Sequence, residues 1–286
     1  MPIPALPLTI RQKAETAGED NLDETHSPAP PVRLPQINPI PLSAPLGWLA
    51  AGWRDFCAIP ATATLYGLIL AAVSAGIFWL LWSTGSASWF YVLLGGFLLV
   101  GPMLGMGLYA ASRSLSEGKK PRLIDVFWVR DAAHKEQLIL GLLLVFLYFL
   151  WTRMAQVIYA LSTWRILRDR SDFLNFVLLD PAGQLMVLIG LATGGFVAFC
   201  NYALAALAAP MLLDRRYNVF MALATSVRAV NRNFFPMFLW AVLIVALTLL
   251  GILFAFIGLA IVFPIIGMAS WHAYKALVQT PLSSVA

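Results

Sequence analysis

The chain alternates long runs of apolar residues with short polar segments that hold nearly all of its charge. A helix needs about 20 apolar residues to cross a hydrocarbon core of about 30 Å. Runs of that length lie at 62–82, 89–112, 138–161 and 184–208. The final run, 236–278, is too long for one crossing, so we expect a tight turn near Gly258. The pattern predicts an all-α, polytopic membrane bundle of six transmembrane helices.

Amphipathic stretches flank these runs. Before the first span, Leu49, Trp53 and Phe56 fall on one helical face, which predicts a short helix lying in the interface. Two polar loops show the same pattern, one starting at Pro121 and one starting at Asn218 as a helix cap. We therefore expect interfacial amphipathic helices beside the spans, held by anionic lipid.

Charge sets the orientation. Lysines and arginines concentrate in the loops after the second and fourth spans, whereas the loops after the first and fifth spans carry none. Basic loops stay on the cytoplasmic side, so both termini are predicted to lie inside a bacterial inner membrane. One loop departs from this bias. It follows the third span, and with the end of that span it holds Arg153, Arg165, Arg168 and Arg170. These arginines are either part of a self-neutralising surface loop or a patch that binds an anion or a partner.

Composition agrees with a lipid environment, because 60% of the 286 residues are hydrophobic and only 12% are charged, against about 25% charged in soluble domains. More than half of the 18 prolines lie in residues 1–45, which predicts a disordered, Pro-rich cytoplasmic tail. Residues 46–280 form the predicted membrane domain, and 281–286 a C-terminal tail. The net charge of +5 fits the positive-inside bias, so we expect the lipid bilayer and no nucleic acid as partner.

Small residues and prolines mark the expected helix contacts. Gly101 and Gly105 bracket Pro102 in the second span, and Gly190 and Gly194 have the same spacing in the fourth. Such spacing favours close helix packing, and a proline frees a backbone carbonyl and kinks its helix. The tetrapeptide at 101–104 is echoed at 209–212, each copy followed by an amphipathic stretch. This weak parallel repeat is the kind of duplication found in transporters.

Residues that could carry chemistry are few. No predicted span contains Asp or Glu, and the chain has no zinc-protease, serine-hydrolase or phosphate-loop motif, so we expect neither an enzyme nor a cofactor. Soft ligands suited to Cu(I) are a weak alternative, and they lie at helical spacing in two spans. The candidates are Met103, Met106, Met268 and His272.

Charges at helix ends form the last group of candidates. Arg113, Asp214 and Arg215 lie where the two repeat-like spans reach the cytoplasm. They either pair across the repeat, hold a lipid headgroup, or act only as anchors that fix the topology.

Several short motifs resemble a large family of bacterial six-helix integral membrane proteins of unknown function. The shared residues are spread from the first amphipathic helix to the last span. They include Trp48, Gly52, Asp55, Tyr66, Gly67, Gly101, Pro102, Tyr109, Ser112, Arg113, Pro210, Asp214, Ser226, Asn233, Trp271, His272 and Tyr274. The resemblance implies a fold and an inner-membrane location, and no activity. It also implies a histidine at the position of Met268, so a histidine pair of the family would be incomplete here.

Two functions follow from the sequence as hypotheses. The first is a non-catalytic accessory, assembly or scaffold component of a membrane complex, with other membrane-protein subunits as partners. The second is a transporter of a small solute or lipid, and Cu(I) handling is a minor third.

Overall fold

The computed structural model describes residues 34–84, 97, 100–129, 134–163, 170–214 and 217–279. This part of the chain forms eleven named helices, and residues 100–104 are helical as well. The helices are α1 (Ala44–Ala58), α2 (Pro60–Ser83), α3 (Met106–Ser116), α4 (Leu123–Phe127), α5 (His134–Ser162), α6 (Arg170–Leu179), α7 (Pro181–Ala205), α8 (Ala208–Asp214), α9 (Val219–Arg232), α10 (Phe234–Leu253) and α11 (Leu259–Leu277). The predicted all-helical class is confirmed for these residues.

Four helical stretches among the described residues are long and apolar enough to cross a membrane. They are Pro60–Ser83, Lys135–Ser162, Pro181–Asp214 and Phe234–Leu253, and they coincide with the predicted first, third, fourth and fifth spans. Ten residues of the predicted second span, 89–96 and 98–99, lie outside the described residues. The predicted sixth span is α11, which carries His272 and Lys275 near its end. The number six therefore stays a prediction.

Helix α11 is the centre of the packing among the described helices. It contacts α1, α2, α3 and α10, and small residues bring the backbones together. A Cβ on Gly52 of α1 would lie 2.6 Å from the Ile265 carbonyl oxygen, and one on Gly67 of α2 would meet the Ala260 carbonyl. Close backbone approach of this kind lets membrane helices associate by van der Waals contact.

The predicted turn near Gly258 is present, since α10 ends at Leu253 and α11 begins at Leu259. Ala255 and Phe256 adopt φ values of +52° and +65° within it. The left-handed region costs roughly 1–2 kcal/mol for a residue with a side chain. The connection between the two antiparallel helices is a tight hairpin that contains these two residues.

Helix α1 forms where expected, and the face that packs against other helices is centred on Trp48 and Gly52. Trp53 is 51% exposed, whereas Trp48 is buried and meets Trp240 edge to face at 5.7 Å between ring centroids. The buried face includes Gly52, because a small residue lets α1 approach α11 closely. A pattern of large apolar residues could not reveal that preference.

An N-terminal strap, residues 36–40, crosses the end of the bundle. Ile37 pairs with Val278 in an isolated antiparallel bridge. The side chain of Asn233 donates to the Asn38 carbonyl at 3.0 Å and accepts an amide of the same strap at 2.9 Å. The strap lies inside the segment 1–45, which its composition predicted to be a disordered tail. The prediction missed the strap because composition cannot reveal a backbone pairing with a distant segment.

Candidate functional site

The first of two interrupted helices lies at the sequence Gly101–Gly105. The helical residues 100–104 end at Gly105, and α3 begins directly after it. The hydroxyl of Tyr66 donates to the Leu104 carbonyl at 2.7 Å. A carbonyl released by a helix break needs such a donor in a membrane interior. The break is therefore stabilised by a side chain from α2.

The second interruption lies between α7 and α8, at the copy of the repeated tetrapeptide. Here the Leu207 amide donates to the hydroxyl oxygen of Ser226 at 3.1 Å, rather than continuing the helical ladder. Pro210 follows within α8 and is buried. Both copies of the repeat thus adjoin a short break of one or two residues, at which a side chain bonds a backbone group. Helical bonds from the Gly105 amide to the Gly101 carbonyl and from the Met211 amide to the Leu207 carbonyl remain at these points.

A cavity of about 480 Å³ lies between these two breaks. Its wall includes Pro102 and Gly105 at the first break and Ala206 at the second. Helices α7, α10 and α11 complete the described wall. The chain has no Asp, Glu, Lys, Arg or His in residues 83–112, 181–213 or 233–271, so every segment that supplies the described wall is uncharged.

One side of the cavity faces the lipid-exposed surface of the bundle. Several of its lining residues on α7 and α10 are exposed, and all of them are apolar. They are Gly195, Ala198, Phe238, Val242, Val245, Ala246 and Leu249. A molecule dissolved in the bilayer could therefore reach the cavity sideways, without passing through water.

Four of the described residues that line the cavity carry a hydroxyl group. Tyr202 donates its proton to the Met237 carbonyl at 2.9 Å, and Ser270 donates to the Ile266 carbonyl at 2.8 Å. Tyr109 and Thr248 also line the cavity and are each 4% exposed. Neither of these two hydroxyls has a hydrogen-bond partner among the described residues.

A polar network lies one helical turn beyond the cavity. Asp55 Oδ2 accepts a hydrogen bond from the Ser112 hydroxyl at 2.6 Å and lies 2.8 Å from His272 Nε2. Ser112 follows the cavity residue Tyr109 by three positions, and His272 follows Ser270 by two. A single carboxylate thus joins α1, α3 and α11 where the apolar region ends.

A second carboxylate extends the network. Asp214 Oδ2 accepts the Tyr274 hydroxyl at 2.8 Å and lies 3.5 Å from the ammonium of Lys275. Arg113 Nε lies 3.9 Å from Asp214 Oδ1, and its guanidinium donates to the Leu213 carbonyl at 3.2 Å. Two of the predicted anchor residues, Arg113 and Asp214, are therefore brought together, while Arg215 lies outside the described residues.

Arg113 also pairs with an exposed acid on its own helix end. Its Nε lies 3.3 Å from Glu117 Oε1, and the Lys119 ammonium lies 3.0 Å from Glu117 Oε2. The hydrogen bond from Lys119 lowers the pKa of Glu117 below its ordinary value, and the charge of Arg113 acts in the same direction. Such exposed pairs are screened by water, so they add little stability.

The predicted packing glycines have different surroundings. A Cβ on Gly194 would lie 2.5 Å from the Trp151 ring of α5, so this position does hold two helices close together. Cβ atoms on Gly101 and Gly190 would meet open space. Gly105 is covered by the ring and hydroxyl of Tyr109 in its own segment.

The methionines among the Cu(I) candidates lie in two apolar clusters, with Met103 and Met106 sharing one of them. Met103 packs toward Gly141 of α5, with its methyl 3.6 Å from where a Cβ would be. Met106 and Met268 belong to different apolar clusters, and His272 turns to Asp55. The described residues contain no group of three or more His, Cys, Asp or Glu side chains placed to hold a metal.

Most of the candidate arginine patch cannot be located. Arg165 and Arg168 lie outside the described residues, and Arg170 is described only as the start of α6. Arg153 is exposed and donates to Gln156 at 3.0 Å.

Sequence reasoning missed the roles of several residues that the structure brings into play. Tyr66, Tyr109, Asp55 and Ser226 were noticed only as parts of family motifs, without a function. Their signal was polarity in or beside apolar runs, where an unexplained hydrogen-bonding group needs a partner.

These features together define an integral membrane protein with several membrane-capable helices. Residues 89–214 match the family model described as a predicted integral membrane protein (DUF2189), a domain of unknown function. The resemblance stated from the motifs is confirmed for that stretch, which includes Tyr109, Ser112 and Asp214. No curated protein and no solved structure matches the chain.

Proposed function

We propose that this protein binds an uncharged, membrane-soluble molecule in the cavity between its two interrupted helices. This is the lipid form of the transporter hypothesis. The observation that carries it is the position of the cavity, which lies between the two breaks and opens toward the lipid-facing side of α7 and α10.

Size and composition support a ligand of this kind. Ligand pockets usually enclose about 300–1,000 Å³ and are lined mainly by apolar groups with a few polar ones. The cavity of about 480 Å³ is within that range, and its polar groups are neutral. An ionic headgroup inside it would lose its hydration without gaining a counter-charge, which is costly.

The two interrupted helices also support the proposal that the cavity binds a ligand. In many transporters the substrate site lies near the bilayer midplane, where helices are broken and backbone groups are released. Here both breaks contribute to one cavity wall through Pro102, Gly105 and Ala206. The short sequence repeat thus corresponds to a repeated structural feature, because a helix break adjoins each copy.

We further propose six crossings, with the polar network on the cytoplasmic side of a bacterial inner membrane. Pairs such as Asp55 with Ser112, Arg113 with Leu213, and Ile37 with Val278 meet at that end. The chain between the members of each pair must cross the bilayer an even number of times. The intervals 55–112 and 113–213 each have room for two crossings, as has the interval 214–274 between Asp214 and its partner Tyr274, and the basic residues near this end favour the cytoplasm.

A role as accessory or assembly component of a membrane complex stays a prediction from the sequence. One purification addresses both functions. Tagged protein is purified in mild detergent, and its bound lipids and copurifying proteins are identified by mass spectrometry.

We expect a neutral lipid to be enriched over its share of the total membrane extract, because an uncharged cavity selects against ionic headgroups. Bound lipid with the same composition as the membrane would contradict the proposed ligand class. A stoichiometric partner subunit would support the accessory role.

A further inference from the structure

We infer that the hydroxyl of Tyr109 is the group that orients the bound molecule, by donating a hydrogen bond to an oxygen of an uncharged lipid. The ligand class is therefore a long-chain molecule with a neutral oxygen-bearing head, such as an alcohol or a carbonyl compound. This inference rests on the proposed function and narrows it to one head chemistry.

The position of the hydroxyl is the first argument. Tyr109 lies on the side of the cavity that is formed by the first helix break. It precedes Ser112 of the polar network by three residues. Its Oη would lie 2.7 Å from a Cβ on Gly105, so the absence of a side chain at Gly105 gives the hydroxyl its place against that wall. Gly105 is itself a lining residue. Gly105 and Tyr109, four positions apart in the chain, thus place one hydrogen-bond donor at the cavity.

The lack of a protein partner is the second argument. Tyr109 is 4% exposed, and its hydroxyl makes no hydrogen bond to any described residue. A hydroxyl that bonds no protein acceptor can donate its proton to a molecule in the adjoining cavity. Tyr202 and Ser270, by contrast, have committed their protons to backbone carbonyls of α10 and α11. Tyr109 has a proton available for a ligand.

Thr248 gives the cavity a second available hydroxyl. It is also 4% exposed, lines the cavity from α10, and lacks a partner among the described residues. Two neutral hydroxyls, with no charged group among the described lining residues, suit a neutral head that accepts a hydrogen bond. They do not suit a phosphate or a sulfate, which would need a cation in the same wall.

The test compares three probes that share one C18 chain with a cis double bond. Oleyl alcohol has a neutral oxygen, cis-9-octadecene has no oxygen, and oleyl sulfate is permanently charged. Each competes with radiolabelled oleyl alcohol for the full chain in nanodiscs of one lipid composition. We expect the wild type to bind oleyl alcohol about three- to ten-fold more tightly than cis-9-octadecene, the ratio that one neutral hydrogen bond supplies. Oleyl sulfate should be weakest.

The matched variants are Tyr109→Phe, Thr248→Val and Tyr202→Phe. Tyr109→Phe should reduce the preference for the alcohol to about two-fold or less and leave the melting temperature of the ligand-free protein unchanged or higher, because its hydroxyl bonds nothing in the protein. Tyr202→Phe should lower the melting temperature and keep the preference, because its hydroxyl bonds the Met237 carbonyl. Thr248→Val shows whether the hydroxyl of Thr248 also contributes to the preference for the alcohol. If Thr248→Val abolishes that preference and Tyr109→Phe keeps it, the role of Tyr109 is overturned.

Two results separate this inference from the proposed function. Equal binding of alcohol and alkene by the wild type overturns the role of Tyr109 while leaving an apolar cavity ligand in place. Binding of neither probe above that of empty nanodiscs overturns both. The wild-type comparison decides the first question even if a variant fails to fold.

Discussion

Asp55 and His272 are separated by 217 positions in the chain, yet Asp55 Oδ2 lies 2.8 Å from His272 Nε2. The same carboxylate oxygen accepts the hydroxyl of Ser112, which is fully buried. Three helices that are distant in sequence therefore meet at one atom.

Replacing Asp55 with Asn should destabilise the bundle by about 1–2 kcal/mol, because the bonds lose the negative charge of the acceptor and the amide group cannot reproduce both contacts of the carboxylate. Thermal unfolding in detergent, followed by tryptophan fluorescence, measures the change. Arg54→Gln is the matched control, because Arg54 is the exposed neighbour on the same helix. Equal melting temperatures for the two variants would contradict the role assigned to Asp55.

The hydroxyl of Tyr274 should matter more to Asp214 than the ammonium of Lys275 does. Tyr274→Phe removes a 2.8 Å bond to a carboxylate that is 12% exposed, so we expect a loss of about 1–2 kcal/mol. Lys275→Gln removes an exposed partner at 3.5 Å, for which we expect about 0.5 kcal/mol or less. Denaturant titration of both variants gives the comparison. A larger loss for Lys275→Gln would show that charge, not the hydrogen bond, holds this end.

Two glycines of α1 provide a direct test of helix packing. Gly52→Ala would place a methyl 2.6 Å from the Ile265 carbonyl oxygen and 2.7 Å from the Ala269 amide, so α1 must move away from α11. Gly47→Ala meets nothing within 4 Å and should stabilise the helix by up to about 1 kcal/mol. The two changes are chemically identical and should shift the melting temperature in opposite directions. Shifts of the same sign would mean that α1 does not pack against α11 as described.

Topology can be measured with single cysteines after Cys57 and Cys200, both exposed, are replaced by Ser. With six crossings, Thr84→Cys lies outside, whereas Lys119→Cys and Gln279→Cys lie inside. A membrane-impermeant maleimide should label only the first of these in intact spheroplasts and all three after permeabilisation. Labelling of Lys119→Cys in intact spheroplasts would exclude the proposed orientation.

Much of the helical framework could be predicted from the sequence, because a membrane span is defined by length and composition alone. The spans beginning at Pro60 and Pro181 and the turn near Gly258 follow from that rule. The same rule could not predict which glycines lie at close helix contacts. Gly52 and Gly67 touch backbone while Gly101 and Gly190 face open space, and spacing along one helix cannot show what lies opposite.

The candidate site was only partly predictable for the same reason. The repeated tetrapeptide marked both helix breaks, and the paired charges Arg113 and Asp214 were identified as a group. Their partners Asp55, Tyr66 and Ser226 act across long sequence separations, through bonds that no local pattern encodes. Tyr109 was hidden in an apolar run, since only the cavity beside it makes its hydroxyl informative.

Retention of uncharged lipid by two glycine variants of α7 tests the central claim most directly. Gly195 lines the cavity and Gly190 does not, and a Cβ on either would meet nothing within 4 Å. Leu at Gly195 should therefore fill the cavity, while Leu at Gly190 should leave it open. Native mass spectrometry of both variants and the wild type counts the retained neutral lipid. We predict a several-fold loss for Gly195→Leu alone, at an unchanged melting temperature, and equal retention by all three proteins would contradict a ligand in this cavity.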